Sequence, residues 1–172
     1  MRKSLRWANF GIVAAAAMAL TFAAPAEAAQ SIVKYKNGNC MAVDENTTAY
    51  DQAIDMASCT GSKSNWRVKI IDEDWNGHPI ARFQNVATGM CMDTLAHVTD
   101  EAVFTHACNE GHYQWFEVFT NSNGTRTFKS YAAYYDQGHL NLCIQDRGNN
   151  LVAKLETCTS AANQQFTRVA VS

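Results

Sequence analysis

The chain has 172 residues, with 14 Lys and Arg against 16 Asp and Glu, a formal net charge of −2. That balance excludes the basic face a nucleic-acid partner selects, and it gives no electrostatic grip on anionic lipid. The length fits one domain able to bury about 68–70% of its unfolded surface, so a sizeable core is available.

The first element in chain order is a leader. Arg2, Lys3 and Arg6 form a basic start, Phe10 to Ala24 is an Ala-rich apolar run, and Ala26-Glu27-Ala28 offers small residues at both positions a signal peptidase reads. This predicts a secretory signal peptide over 1–28, cut after Ala28, rather than a membrane anchor, because the apolar run is short for a bilayer span. No other stretch is apolar enough to insert in a membrane. Residues 29–172 then form a single domain of 144 residues, with 11 basic and 15 acidic side chains and a net charge of −4.

Short runs of β-branched and aromatic residues follow: 67–71, 80–83, 115–119, 126–129 and 166–169. Each reads as a strand. Asn76-Gly77 and Asn123-Gly124 lie between such runs as hairpin turns, and Asn37-Gly38 and Thr88-Gly89 mark further turns. No amphipathic helix of useful length is present, so the fold class is all-β.

The six cysteines, Cys40, Cys59, Cys91, Cys108, Cys143 and Cys158, reveal a repeat. Their separations within successive pairs are 19, 17 and 15, and the first members recur after 51 and 52 residues. An aromatic trails each pair: Trp66, Trp115 and Phe166. The domain is therefore three units of about 50 residues, approximately 31–78, 79–128 and 129–172. The economical pairing is local: Cys40–Cys59, Cys91–Cys108 and Cys143–Cys158, each worth about 3 kcal/mol in the loop-entropy model. An even cysteine count in an exported chain reads as disulfides. No CxxC pair or Cys/His cluster has zinc-ligand spacing, so no metal or cofactor is expected.

Each unit carries a QxW-like triplet after its second cysteine: Ser64-Asn65-Trp66, Tyr113-Gln114-Trp115 and Gln164-Gln165-Phe166. Three such units resemble the ricin-B-type β-trefoil lectin domains. The resemblance spans residues 31–172. It implies a β-trefoil with pseudo-threefold symmetry in which Trp66, Trp115 and Phe166 pack as core near the axis. It also implies a sugar site in each unit: an Asp two residues after the first Cys, an aromatic two before the second, and an Asn in an Asn-Gln pair. A carboxylate, a flat ring and an amide suit the vicinal hydroxyls and C–H face of a sugar.

No unit keeps the whole set. The first has Ala42, Ala57 and Lys63 at these positions, with Asp44 nearby. The third has Gln145 and Glu156 but keeps Asn163-Gln164, a weaker second site. The second keeps Asp93, places His106 at the stacking position with Phe104 close by, and has His112-Tyr113 for Asn-Gln, with Asn109 in the same loop. Asp93, His106, Asn109, His112 and Tyr113 are thus the leading ligand-binding residues.

Tyr131, Tyr134, Tyr135 and Trp75 offer a further aromatic surface, read first as strand-face packing and second as a stacking surface. No GxSxG elbow, HExxH helix or P-loop is present, so no catalysis is expected. The sequence reading is a secreted carbohydrate-binding module for a glycan or polysaccharide. The alternative is a protein–protein adaptor for a co-secreted partner or toxin assembly, a trefoil that has lost its sugar sites.

Overall fold

A computed structural model describes residues 29–34, 38–43, 52–95, 98–148 and 150–170. The expected leader at 1–28 lies outside the described residues, as does Asp44.

The first unit contributes β1 (Ala29–Lys34), β2 (Cys40–Val43), β3 (Gln52–Ala57) and β4 (Asn65–Glu73). The second contributes β5 (Pro79–Asn85), β6 (Cys91–Asp93), the two-residue β7 (Glu101–Ala102), β8 (Phe104–His106) and β9 (Phe116–Thr120). The third has β10 (Arg126–Ser130), a short helix α1 (Tyr131–Tyr135), β11 (Leu142–Gln145), β12 (Lys154–Thr157) and β13 (Phe166–Ala170). β3 shows why these segments become strands. Gln52, Ile54 and Met56 are buried while Ala53, Asp55 and Ala57 are half-buried, the period-2 pattern of a pleated segment with one face on a core.

The outer strands of each unit close a six-stranded antiparallel barrel: β1 pairs with β4, β4 with β5, β5 with β9, β9 with β10, β10 with β13, and β13 returns to β1. The inner strands form three hairpins, β2–β3, β6–β8 and β11–β12. Pairings β3–β8 and β7–β12 and the bridge Asp55–Val152 link those hairpins into a cap. Each disulfide closes within one unit as expected: Cys40–Cys59, Cys91–Cys108 and Cys143–Cys158.

Register across the barrel identifies equivalent residues. Trp66 lies opposite Asn85, Phe116 opposite Ser130 and Phe166 opposite Lys34. Trp66, Phe116 and Phe166 are all 0% exposed, and so are Ile32, Phe83 and Phe128, two residues before those partners. Edge contacts at 5.0 Å (Phe83–Phe128) and 5.8 Å (Phe83–Phe116) tie the rings together. Trp66 tolerates burial because its indole N–H donates to the Met41 carbonyl at 2.9 Å.

This register corrects one expectation. Trp115 is not the core aromatic of the second unit; Phe116 is. Neighbours on an extended chain point to opposite sides, and Phe116 takes the inward place. Trp115 is half-buried on the outside, its ring 4.6 Å from His112 and 5.5 Å from Tyr131.

Candidate functional site

In the second unit the site grows from the end of β6 and the short 3-10 turn His112–Gln114 that precedes β9. Gln114 is completely buried and uses both ends of its amide. Its Nε2 donates to Asp93 Oδ2 at 2.8 Å and to the Ala107 carbonyl at 2.9 Å, while its Oε1 accepts from the Asn109 N–H at 2.9 Å. Asp93, 4% exposed, is therefore a carboxylate oriented by a buried amide rather than a mobile surface acid.

The other expected residues divide. Asn109 spends its side-chain oxygen on the Gly111 N–H at 2.7 Å, shaping its own loop. The Tyr113 carbonyl accepts from the Thr94 N–H at 3.2 Å, and the residue is 46% exposed. His106 is half-buried in β8, opposite Cys91. His112 leaves the group: its Nδ1 lies 3.0 Å from an Asp136 oxygen, and its ring packs on Trp115 and Tyr131. Asp93, Asn109 and Tyr113 are thus gathered around Gln114, whereas the His112 ring serves the α1 side.

The third unit repeats the device with a different acceptor. Gln164, also fully buried, donates to Gln145 Oε1 at 3.2 Å and to the Thr157 carbonyl at 2.9 Å, and accepts from the Thr159 N–H at 2.6 Å. Asn163 is half-buried, and its carbonyl accepts from the Asp146 N–H at 2.9 Å. Glu156, at the stacking position, is paired with Arg147 at 3.1 Å. In the first unit the equivalents are Ala42 and Ser64, and the Ser64 hydroxyl turns to the Gly61 carbonyl at 3.0 Å. Acceptor and glutamine are present together in two units and absent together in one.

No family model matches the sequence, and comparison with curated proteins finds no match. Solved structures do match. The designed threefold-symmetric protein ThreeFoil superposes with a TM-score of 0.70 at 13% identity, covering 83% of this chain and 99% of its own. The fold is a β-trefoil. The same architecture relates this trefoil to the Rhizoctonia solani agglutinin, with a TM-score of 0.66, 14% identity and coverage of 87% and 98% of the two chains. It also relates it to a chain of the Haemophilus ducreyi cytolethal distending toxin, with a TM-score of 0.61, 15% identity and coverage of 94% and 89%. At these identities the likeness establishes the fold alone.

Sequence reasoning missed Gln114, which it assigned to the middle of the second triplet. Spacing carries the signal that finds it. Phe116 follows Cys108 by eight residues, as Phe166 follows Cys158, and that alignment sets Gln114 on Gln164. It also missed α1. Tyr131, Tyr134 and Tyr135, expected on a strand face, sit on this helix, with Tyr131 and Tyr135 stacked at 4.2 Å. A sizeable open cleft lies beside them.

Proposed function

We propose that the chain is an exported, non-catalytic carbohydrate-binding module of the ricin-B kind whose sugar site is in the second repeat. The observation that carries this reading is the paired presence and loss of acceptor and glutamine. The first repeat closes the same barrel with Ala42 and Ser64, so the fold does not require Asp93 held by Gln114. A buried carboxylate with a dedicated amide partner is costly to keep without a use. Asp93 would accept hydroxyls of the sugar, with the flat rings of His106 and Tyr113 beside it. Export rests on the leader sequence and on three disulfides, which persist in oxidising compartments. A further structural match, the Polyporus squamosus lectin bound to Neu5Aca2-6Galb1-4GlcNAc, with a TM-score of 0.61 at 18% identity, supports the ligand class.

The test is a glycan-array and polysaccharide pull-down screen of the disulfide-bonded protein beside Asp93→Ala, with thermal unfolding as the control for folding. Binding that the substitution removes supports the reading. A second reading is favoured by the toxin chain, matched across 94% of this one: an adaptor in a secreted assembly. Folded protein that binds no glycan and instead assembles stoichiometrically with a co-secreted protein would replace the first reading with the second.

A further inference from the structure

On the α1 side of the molecule an open cleft of about 440 Å³ lies between the Asp74–His78 turn, β9, β10, α1 and the Cys143–Cys158 bridge. Its size falls in the range of about 300–1,000 Å³ typical of ligand pockets. None of the residues gathered around Gln114 lines it.

The charges in this cleft are matched by the protein itself. Lys129 and Glu117 are buried, with Nζ 2.9 Å from Oε2, and the ammonium lies 3.4 Å from the centroid of the Tyr134 ring. The Tyr135 hydroxyl donates to the other Glu117 oxygen at 3.1 Å. Asp74 sits 2.7 Å from His78 Nδ1 and accepts the backbone N–H of Asn76 and of His78. Burial pushes the Asp74 carboxyl up, but these hydrogen bonds outweigh it and hold it below the usual carboxylate range. An incoming ion therefore meets carboxylates and an ammonium already committed to partners.

Trp75 stands at the mouth, 83% exposed. The molecule contains its own control for this residue. The turns Asp74–His78 and Asn121–Thr125 have the same form: in each, the first residue's N–H donates to the fifth carbonyl at 2.9 Å and the Gly N–H to the first carbonyl at 2.9 Å. Gly77 and Gly124 take φ of 79° and 81°. Ser122 occupies the place of Trp75, so the turn does not need an indole. The Asp74 hydrogen bonds also make the turn that carries Trp75 stiff, which lowers the entropy cost of using it as a contact.

The cleft also presents the side chains of Asn76, Asn141 and Ser160, whose amides and hydroxyl take no part in the hydrogen bonding among the described residues. Among the described residues, its α1 wall occurs in one repeat only. The β10–β11 connection runs 131–141, against 86–90 for β5–β6, and the helix is capped by Ser130 and tied down by His112–Asp136.

We propose that this cleft is a second binding site, for an uncharged oligosaccharide, in which Trp75 stacks on the C–H face of one sugar ring while Asn76, Asn141 and Ser160 bond its hydroxyls. The proposal shares a ligand class with the second-repeat reading but none of its residues. An indole face, two amides and a hydroxyl over a floor whose charged groups already have partners match a neutral polyol better than an ion.

The test uses the full disulfide-bonded protein with Trp75→Ser, Asn141→Ala and Asp93→Ala, on immobilised mannan, galactan, xylan and chitin, with heparin as the charged control. Trp75→Ser copies the sister turn and keeps the melting temperature. The expected result is binding to at least one uncharged polysaccharide, weakened about tenfold or more by Trp75→Ser and less by Asn141→Ala, with the same dependence on Trp75 whether or not Asp93→Ala is also present. Binding removed by Asp93→Ala and untouched by Trp75→Ser overturns this proposal while sparing the second-repeat site. No binding to any uncharged polysaccharide, or Trp75-dependent binding to heparin alone, also overturns it.

Discussion

The first and second repeats contribute equivalent strands to the same barrel, yet the second places Asp93 against Gln114 where the first places Ala42 and Ser64. The core positions are held alike, Trp66 in one and Phe116 in the other, both fully buried. What differs is a polar pair at the base of the cap. The comparison teaches that the trefoil's stability resides in the barrel aromatics and disulfides, and that the polar pair is an addition the fold can lose.

The largest expected effect tests the alignment beneath that comparison. Phe116→Ala should cost about 3–5 kcal/mol in urea unfolding, as expected for emptying a buried aromatic site, and Trp115→Ala distinctly less. Equal losses would mean that the repeats are aligned one residue out. A smaller effect sharpens the comparison itself. Gln114→Ala leaves Asp93, the Ala107 carbonyl and the Asn109 N–H each short of a partner and should cost about 1–3 kcal/mol. The double change Asp93→Ala with Gln114→Ser copies the first repeat. It should cost less than the sum of the single changes, by about 0.5–3 kcal/mol, and bind no glycan at that site. Strict additivity would show that the two residues do not act as a unit.

The smallest effect belongs to the third repeat's departure from both others. Burial, then the hydrogen bond to Glu117 and its charge, push the Tyr135 hydroxyl up to about 12 from an ordinary value near 10. The folded state thus retains a proton that the unfolded chain releases. Its contribution is fully present below about pH 10 and declines as pH rises toward about 12. Tyr135→Phe should flatten that decline in melting temperature, and a wild-type profile indistinguishable from the variant's would remove Tyr135 from the account.

The trefoil was legible because cysteines and trailing aromatics recur at nearly constant spacing, and a periodic signal survives imperfect copies. The register of the second repeat was not, because Trp115 and Phe116 are adjacent aromatics and residue type alone cannot say which points inward; Gln114 was misplaced for the same reason. Asp93, a candidate from the sequence, does lie against the buried Gln114, but His112 is drawn away by Asp136, a contact 24 residues distant. α1 has five residues, fewer than the window a helical period needs, so its tyrosines read as strand. The cleft has no linear signature at all. Asp74, Glu117, Lys129 and Thr159 come from all three repeats, and only barrel closure assembles them.

That closure has a consequence for how the chain can be rearranged. β1 and β13 run side by side, with Gln30 opposite Ala170 and Lys34 opposite Phe166. Topologically the described strands form a ring with a nick between β1 and β13. A circularly permuted version, joined there by a short linker and reopened at the Asn121–Thr125 turn, keeps every strand neighbour described above while moving the termini from one seam of the ring to another.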